Sequence, residues 1–179
     1  MKRIFSTILF CYAFANTFGQ VQGDYQSDQS GNWNTATTWE VFFNGAWRDL
    51  ETVPAGPFRN VIPSSASLAI TVRHSVNVNA NNTTANQLVV AAGAVLTISR
   101  SLIIQDDGVT TPLQVLTGGS LVNNGTLSLQ TLTTLPCEVF GTLSSTGTIV
   151  TSNPAMLLFH PASTYIHGNR TAGNIPLAT

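Results

Sequence analysis

The sequence predicts an all-β protein, a right-handed parallel β-helix with rungs of about 20–25 residues behind an N-terminal cap that contains an aromatic hairpin. One apolar pattern occurs five times, with steps of 20, 25, 22 and 22 residues between its occurrences. The surrounding segments alternate apolar and polar residues, which is the period of a strand with one buried face. No segment carries the apolar stripe of an amphipathic helix. A constant spacing inside repeats of variable length is typical of a solenoid, because equivalent rungs stack while the loops absorb the difference in length.

Each repeat has a leucine, a second apolar or cysteine residue two positions later, and a third apolar residue six positions after that. The five triplets are Leu68-Ile70-Val76, Leu88-Val90-Leu96, Leu113-Val115-Leu121, Leu135-Cys137-Leu143 and Leu157-Phe159-Tyr165. Repeats two to four continue with a fourth apolar residue six positions further on, at Leu102, Leu127 and Ile149. We therefore expect the five leucines, and each later position in turn, to form columns inside the coil. Cys137 would then share a column with Ile70, Val90 and Val115, as a small buried side chain rather than a nucleophile or ligand.

Residues 1–19 are typical of a secretory signal peptide. Lys2 and Arg3 supply the positive charge, and an apolar stretch over residues 4–14 is too short to span a bilayer. Small residues before the cleavage point favour a cut after Gly19, so that the exported chain begins at Gln20. The sequence therefore predicts a secreted protein or one at the outer cell surface.

Residues 20–60 differ from the repeats and form the predicted cap. Asn44-Gly45 between two aromatic segments is a strong hairpin signal and predicts pairing of residues 38–43 with residues 46–48. Three tryptophans lie in this region and have two interpretations. They form either a hydrophobic cover for the open end of the first rung, which the need of a solenoid for capping favours, or an aromatic platform that binds glycans. These candidate ligand-binding residues are Trp33, Trp39 and Trp47.

Residues 61–179 form the predicted rungs, which we expect to be incomplete at the C-terminus. Asp106-Asp107-Gly108, followed by Pro112, predicts an inserted loop that explains the longest step. A column of outward residues is predicted at Asn77, Thr97, Val122 and Ser144. Glycines mark the corners and are expected to adopt backbone angles that other residues resist, at Gly93, Gly118, Gly119, Gly125, Gly141 and Gly147. An antiparallel sandwich also explains short strands, but it does not explain the shared register of the repeats.

The amino-acid composition limits the kinds of molecule that this chain is expected to bind. Charged residues make up 8% of the chain, against about a quarter in average proteins. After residue 19, five arginines stand against eight acidic residues, a net charge of −3 with no basic cluster. Nucleic acid and anionic membrane surfaces are therefore not expected as partners. No second apolar run is long enough to predict a membrane span after removal of the leader.

The chain carries few residues suited to catalysis or metal binding. Beyond residue 60 the acids are Asp106, Asp107 and Glu138, and we expect Glu138 to point outward without a partner. The three histidines, at positions 74, 160 and 167, lack the close spacing of a zinc site. No nucleophile elbow, phosphate-binding loop or metalloprotease motif occurs. The sequence predicts no enzyme activity, no cofactor and no metal site in this segment.

Three segments carry a resemblance to a known group. Gly31-Asn32-Trp33-Asn34 with Thr38-Trp39-Glu40 resembles the start of proteins that Bacteroidetes export through the type IX secretion system. The stretch 72–96 resembles a phrase repeated in those proteins, with Arg73 where glycine is usual, and 163–179 resembles another of their phrases. The resemblance implies an N-terminal fragment of a longer β-solenoid protein, without catalytic residues. Residues 61–96 also resemble the G8 domain, a β-rich extracellular module.

Two functions follow as hypotheses. The first is a secreted or cell-surface structural protein of the adhesin type, with extracellular glycans or surface proteins as partners. The alternative is a glycan-binding module, or an accessory part of a polysaccharide-active enzyme, that uses the tryptophans or a Thr/Asn-rich face.

Overall fold

The structure, a computed structural model, describes residues 19–168 except residues 106, 130, 131, 133 and 152. The predicted signal peptide up to residue 18 and the predicted continuation of the coil over 169–179 lie outside the described residues. Within them the chain is a β-solenoid built from three parallel sheets, with two short 3-10 helices at Ala36–Thr38 and Pro154–Met156. The predicted all-β parallel solenoid is confirmed. No helix among the described residues has the length and hydropathy needed to cross a bilayer.

Three strands, one from each sheet, make up a complete rung. In sheet A the coil strands are β1 (Tyr25–Ser27), β5 (Ile70–Val72), β8 (Leu88–Val90), β11 (Leu113–Val115), β14 (Cys137–Val139) and β17 (Leu157–Phe159). In sheet B they are β2 (Gly31–Asn32), β6 (Ser75–Val78), β9 (Val95–Ile98), β12 (Ser120–Asn123), β15 (Thr142–Ser145) and β18 (Thr164–His167). In sheet C they are β7 (Thr83–Ala85), β10 (Ser101–Ile104), β13 (Thr126–Ser128) and β16 (Thr148–Val150). Four complete rungs therefore lie between two partial ones.

Sheets B and C have the predicted register. In sheet B, Val76 pairs with Leu96, and the column continues through Leu121, Leu143 and Tyr165. In sheet C, Leu102 pairs with Leu127, and Leu127 with Ile149. The outward column of sheet B is also confirmed, running through Asn77, Thr97, Val122 and Ser144.

In sheet A the predicted register is wrong in two rungs. The stacked residues are Ile70, Leu88, Leu113, Cys137 and Leu157, so that Cys137 aligns with leucines and not with Val90 and Val115. Leu68 and Leu135 lie before their strands. Leu68 is 46% exposed, whereas Ile70 and Cys137 are fully buried, as expected for Cys137.

The error comes from the corner between sheets A and B. This corner spans four residues in three rungs, at 91–94, 116–119 and 160–163. In the other two rungs it spans two residues, at 73–74 and 140–141. Because the difference is two, a shifted alignment keeps every apolar residue on the inward face and hides the change. The spacing of six residues between the second and third members of each triplet therefore joins different strand positions in rungs with two-residue and four-residue corners.

The four-residue corners share a backbone conformation at their third residue. Gly93 and Gly118 have φ of +79° and +81°, and Ala162 has φ of +70° at the equivalent position. Of the six glycines predicted to turn the chain through such angles, only these two do so. At Gly119 and Gly141 a side chain is excluded for another reason, since a Cβ atom would collide with backbone carbonyls of the preceding rung. Gly125 and Gly147 are restricted in the same way.

The interior is mainly apolar, and one column of sheet B contains two buried polar residues. There Val78 and Ile98 are followed by Asn123 and Ser145, both buried. The Nδ2 group of Asn123 donates to Ser145 Oγ at 3.1 Å and to the Thr148 carbonyl at 3.0 Å. Its Oδ1 atom has no partner among the described residues. These bonds tie the corner between sheets B and C across two rungs, in exchange for one unsatisfied acceptor.

The N-terminal region continues the coil and closes its end. β1 and β2 pair in parallel with β5 and β6, so they form a partial rung within the segment 20–60. β3 (Trp39–Phe43) then pairs antiparallel with β1, and the predicted hairpin is confirmed as β3 with β4 (Ala46–Asp49). Asn44 and Gly45 form its turn with φ of +51° and +79°. The cap is therefore an extension of sheet A, which continues without interruption from β5 through β1 to β3 and β4.

Reciprocal substitutions test the shared corner. Ala162→Gly is expected to raise the free energy of unfolding by about 0.5–1 kcal/mol, because glycine adopts positive φ without the strain of a Cβ atom. Gly93→Ala is expected to lower the free energy of unfolding by about 1 kcal/mol. The positive φ alone causes this loss, because a Cβ atom at Gly93 meets nothing within 4 Å. Urea unfolding measures both changes. A loss of stability in Ala162→Gly would contradict the assigned corner.

Candidate functional site

The outer face of sheet A carries the most developed polar arrangement on the coil. Alternate residues of its strands point outward, and Thr71, Val89, Gln114 and Glu138 form one column across neighbouring rungs. Since stacked strands lie about 4.8 Å apart, each outward side chain contacts the equivalent residue of the next rung. This stacking places groups from separate repeats within hydrogen-bonding distance.

Glu138 is the centre of one such cluster. Its Oε2 atom accepts from Gln114 Nε2 at 2.7 Å, and its Oε1 atom lies 3.3 Å from His160 Nε2. The His160 ring in turn stacks on Phe140, with ring centroids 3.8 Å apart and planes at 11°. The expectation that Glu138 stands without a partner is wrong, because parallel stacking brings Gln114 and His160 beside it from the rungs on either side.

A groove lies on the same face, one rung towards the N-terminus. It has a volume of about 280 Å³. Val89 and Ala69 contribute its apolar floor, and amide and hydroxyl groups occupy the remaining positions. The lining residues are Ala69, Gln87, Val89, Thr110, Thr111 and Gln114. None of these six side chains is charged, so the groove combines an apolar surface with neutral hydrogen-bonding groups.

The inserted loop forms one wall of the groove and is held by Asp107. One carboxylate oxygen accepts from the backbone N–H groups of Val109 and Thr110, at 2.9 and 3.0 Å. The other accepts from Gln87 Nε2 at 3.0 Å. The two backbone bonds are the main cause that lowers the pKa of Asp107 from 3.8 to about 2, with smaller contributions from the Gln87 and Asn86 side chains. The predicted inserted loop is present, and the exposed carboxylate of Asp107 holds its backbone in place.

The three tryptophans do not form a common platform. Trp33 and Trp39 are each 1% exposed and pack edge to face, with centroids 4.9 Å apart. Their Nε1–H groups donate to the carbonyls of Pro63 and Trp33, so both rings are satisfied inside the protein. Trp47 is half-buried and packs against Phe42 across the hairpin. The hydrophobic cap therefore accounts for two of these residues, and only Trp47 reaches the surface.

One acidic cluster was missed by sequence reasoning. The carboxylates of Asp28, Glu40 and Asp49 lie within 4.8 Å of one another, the one group of at least three metal-ligand side chains among the described residues. Glu40 and Asp49 are cross-strand partners in the hairpin, a pairing that the Asn44-Gly45 turn already implied. Carboxylates suit a hard divalent cation, but Ca²⁺ takes six to eight oxygens and these groups are largely exposed. The cluster alone does not define a metal site.

Ser27 and His74 lie together but do not form a nucleophile and base. Ser27 is fully buried, and its Oγ atom accepts from the backbone N–H groups of Arg73 and His74, at 2.8 and 3.1 Å. His74 Nδ1 lies 2.9 Å from the Ser27 carbonyl, so this nitrogen carries the proton and donates. A protonated Nδ1 has no lone pair to accept the hydroxyl proton. The pair stabilises the corner at 73–74, which follows β5.

No family model, curated protein or solved structure matches this chain.

Two substitutions separate a buried cap from a surface platform. Trp33→Ala is expected to lower the free energy of unfolding by about 3–5 kcal/mol, because it removes a buried ring and leaves the Pro63 carbonyl without its donor. Trp47→Ala is expected to cost about 1 kcal/mol, the value of a partly exposed cross-strand aromatic pair. Chemical denaturation gives both values. Equal, small losses in the two variants would argue against the cap.

The titration of Asp107 tests whether its carboxylate holds the backbone of the loop that forms one wall of the groove. Because the pKa of Asp107 is lowered in the folded state, the stability that its hydrogen bonds contribute is fully present above pH 3.8. This contribution is lost as the pH falls through about 2, where the folded carboxylate takes up a proton. Screening by solvent keeps the contribution to global stability to a fraction of about 1 kcal/mol. In NMR spectra the amide signals of Val109 and Thr110 should shift with a midpoint near pH 2, and Asp107→Asn should abolish that shift. A midpoint near pH 4 would contradict the geometry.

Proposed function

We propose that this chain is an exported structural element of the adhesin type, displayed at the cell surface, with no catalytic role in this segment. The observation that carries the proposal is the separation between interior and surface. The columns inside the coil are mainly apolar, and each fully buried leucine contributes about 2 kcal/mol. The outward residues are mostly uncharged and contribute little to this core, so they are suited to contact with partners.

Several features of the sequence support an extracellular location. The first 19 residues have the composition of a cleaved leader, and Cys137, the one cysteine after them, is buried. A surface with few charges remains indifferent to salt, since screening acts on exposed ionic interactions. The resemblance to Bacteroidetes proteins of the type IX secretion group agrees with this proposal.

Glycan binding is the second candidate function. It is favoured by the neutral groove on sheet A, where amides and hydroxyls surround an apolar floor. The tryptophans give it little support, because Trp33 and Trp39 are buried and Trp47 alone is accessible. This candidate includes a role as the accessory part of a polysaccharide-active enzyme.

Export is tested by expressing the protein in a Bacteroidetes host. The processed protein is expected to begin at Gln20 and to bind antibody on intact cells. Replacing Lys2 and Arg3 by glutamate should leave an unprocessed precursor inside the cell, because the leader needs positive charge at its start. Exchanging the two residues for Arg and Lys keeps the charge and serves as the control. An intact N-terminus with antibody staining only after lysis would refute the proposal.

A further inference from the structure

Two glutamines in the groove are held in the same way, each by a carboxylate from a later part of the chain. Gln87 Nε2 donates to Asp107 at 3.0 Å, and Gln114 Nε2 donates to Glu138 at 2.7 Å. An ionised carboxylate only accepts hydrogen bonds, so each glutamine must turn its NH₂ group towards its acid. The amide carbonyl of each residue is then directed away from the carboxylate. The two Oε1 atoms are thus oriented acceptors before any ligand arrives.

The carboxylates themselves are already engaged. Asp107 also holds the backbone of Val109 and Thr110, and Glu138 also contacts His160. Hydrogen bonds from neutral amides do not cancel the charge of an ionised carboxylate, so each acid remains a negative group beside the groove, although neither lines it. An anionic ligand would lose hydration there and be repelled by these carboxylates, whereas a neutral ligand would avoid both penalties.

The remaining lining matches a ligand with both hydroxyl groups and apolar faces. Val89 and Ala69 supply the apolar part of the lining, and Thr110 and Thr111 add hydroxyls from the loop. Neutral sugars have this combination, with C–H groups on the ring faces and hydroxyls around the edge. The groove lies on the outer face of sheet A, so the rest of a glycan chain can remain in solvent while part of it is bound.

We propose that this groove binds an uncharged glycan chain, with Gln87 and Gln114 accepting hydrogen bonds from sugar hydroxyls and Val89 packing against a ring face. The site is distinct from the tryptophan region considered above. The proposal deepens the second candidate function, glycan binding, by naming its site and its class of ligand. It rests on the proposed extracellular location only because the protein must reach glycans to bind them. Binding by purified protein is measured independently of export, so either idea can fail alone.

The test is an NMR titration of purified, isotope-labelled protein with neutral oligosaccharides of glucose, mannose and xylose, and with oligogalacturonate as a charged probe. At least one neutral probe is expected to shift the amide signals of Val89, Thr110 and Gln114. Oligogalacturonate should cause no comparable shift, because its carboxylates find no positive partner. Shifts confined to Trp47 and its hairpin would instead favour the aromatic platform and overturn the proposal.

Glutamine-to-methionine substitutions isolate the amide groups while keeping the side-chain length. Gln114→Met and Gln87→Met are each expected to weaken binding about tenfold, since each removes one oriented acceptor. Gln29→Met, in the cap and outside the groove, is the matched control and should leave affinity unchanged. Thermal unfolding of all three should agree with the parent within a few degrees. Unaltered affinity in both groove variants, or no binding of any neutral probe at millimolar concentration, would overturn the proposal.

Asp107→Ala tests the orientation of Gln87 separately. Asp107 does not line the groove, yet its loss releases the Gln87 amide and the loop backbone. Binding should weaken several-fold, while the affinity change caused by Gln87→Met becomes smaller in the Asp107→Ala background. Fully additive effects of the two substitutions would show that Asp107 does not act through Gln87.

Discussion

Parallel pairing between successive rungs is the constraint on which the structure depends. Each strand bonds to the equivalent strand of the next rung, so a side chain inside one rung must stack on its counterpart in the next. Leu96, Leu121 and Leu143 therefore form one column, and Thr97, Val122 and Ser144 form another on the outside. The same close stacking excludes a Cβ atom at Gly119 and Gly141, where carbonyls of the preceding rung occupy the space. Register, core and corners follow from this one requirement.

Stacking also creates the polar arrangement on sheet A. Gln114 and Glu138 are 24 positions apart in sequence but are neighbours across one rung boundary, and His160 approaches from the following rung. The apolar columns fix the backbone, so these outward groups are positioned without having to stabilise the fold. This division is why a surface with few charges can still hold oriented amides, and it connects the structural role to the proposed glycan groove.

Sequence reasoning succeeded where a pattern of period two was bounded by clear turns. It predicted the hairpin around Asn44-Gly45, the columns of sheets B and C and the burial of Cys137. It misplaced Leu68 and Leu135, because the corners of their rungs are shorter by two residues, a difference that preserves the inward and outward alternation. It also gave Glu138 no partner and did not anticipate the buried Asn123–Ser145 pair, since both depend on which rungs become neighbours.

The sequence by itself determined that this protein is a coil of short strands with an apolar interior, few charges and an aromatic start. These properties reside in composition and local alternation, which need no knowledge of distant contacts. Only the tertiary structure decided which residues share a rung boundary, which tryptophans are buried, and which polar groups meet on the surface. The physical reason is that corners of different length are compatible with the same alternation, and only the closing of hydrogen bonds between rungs selects among them.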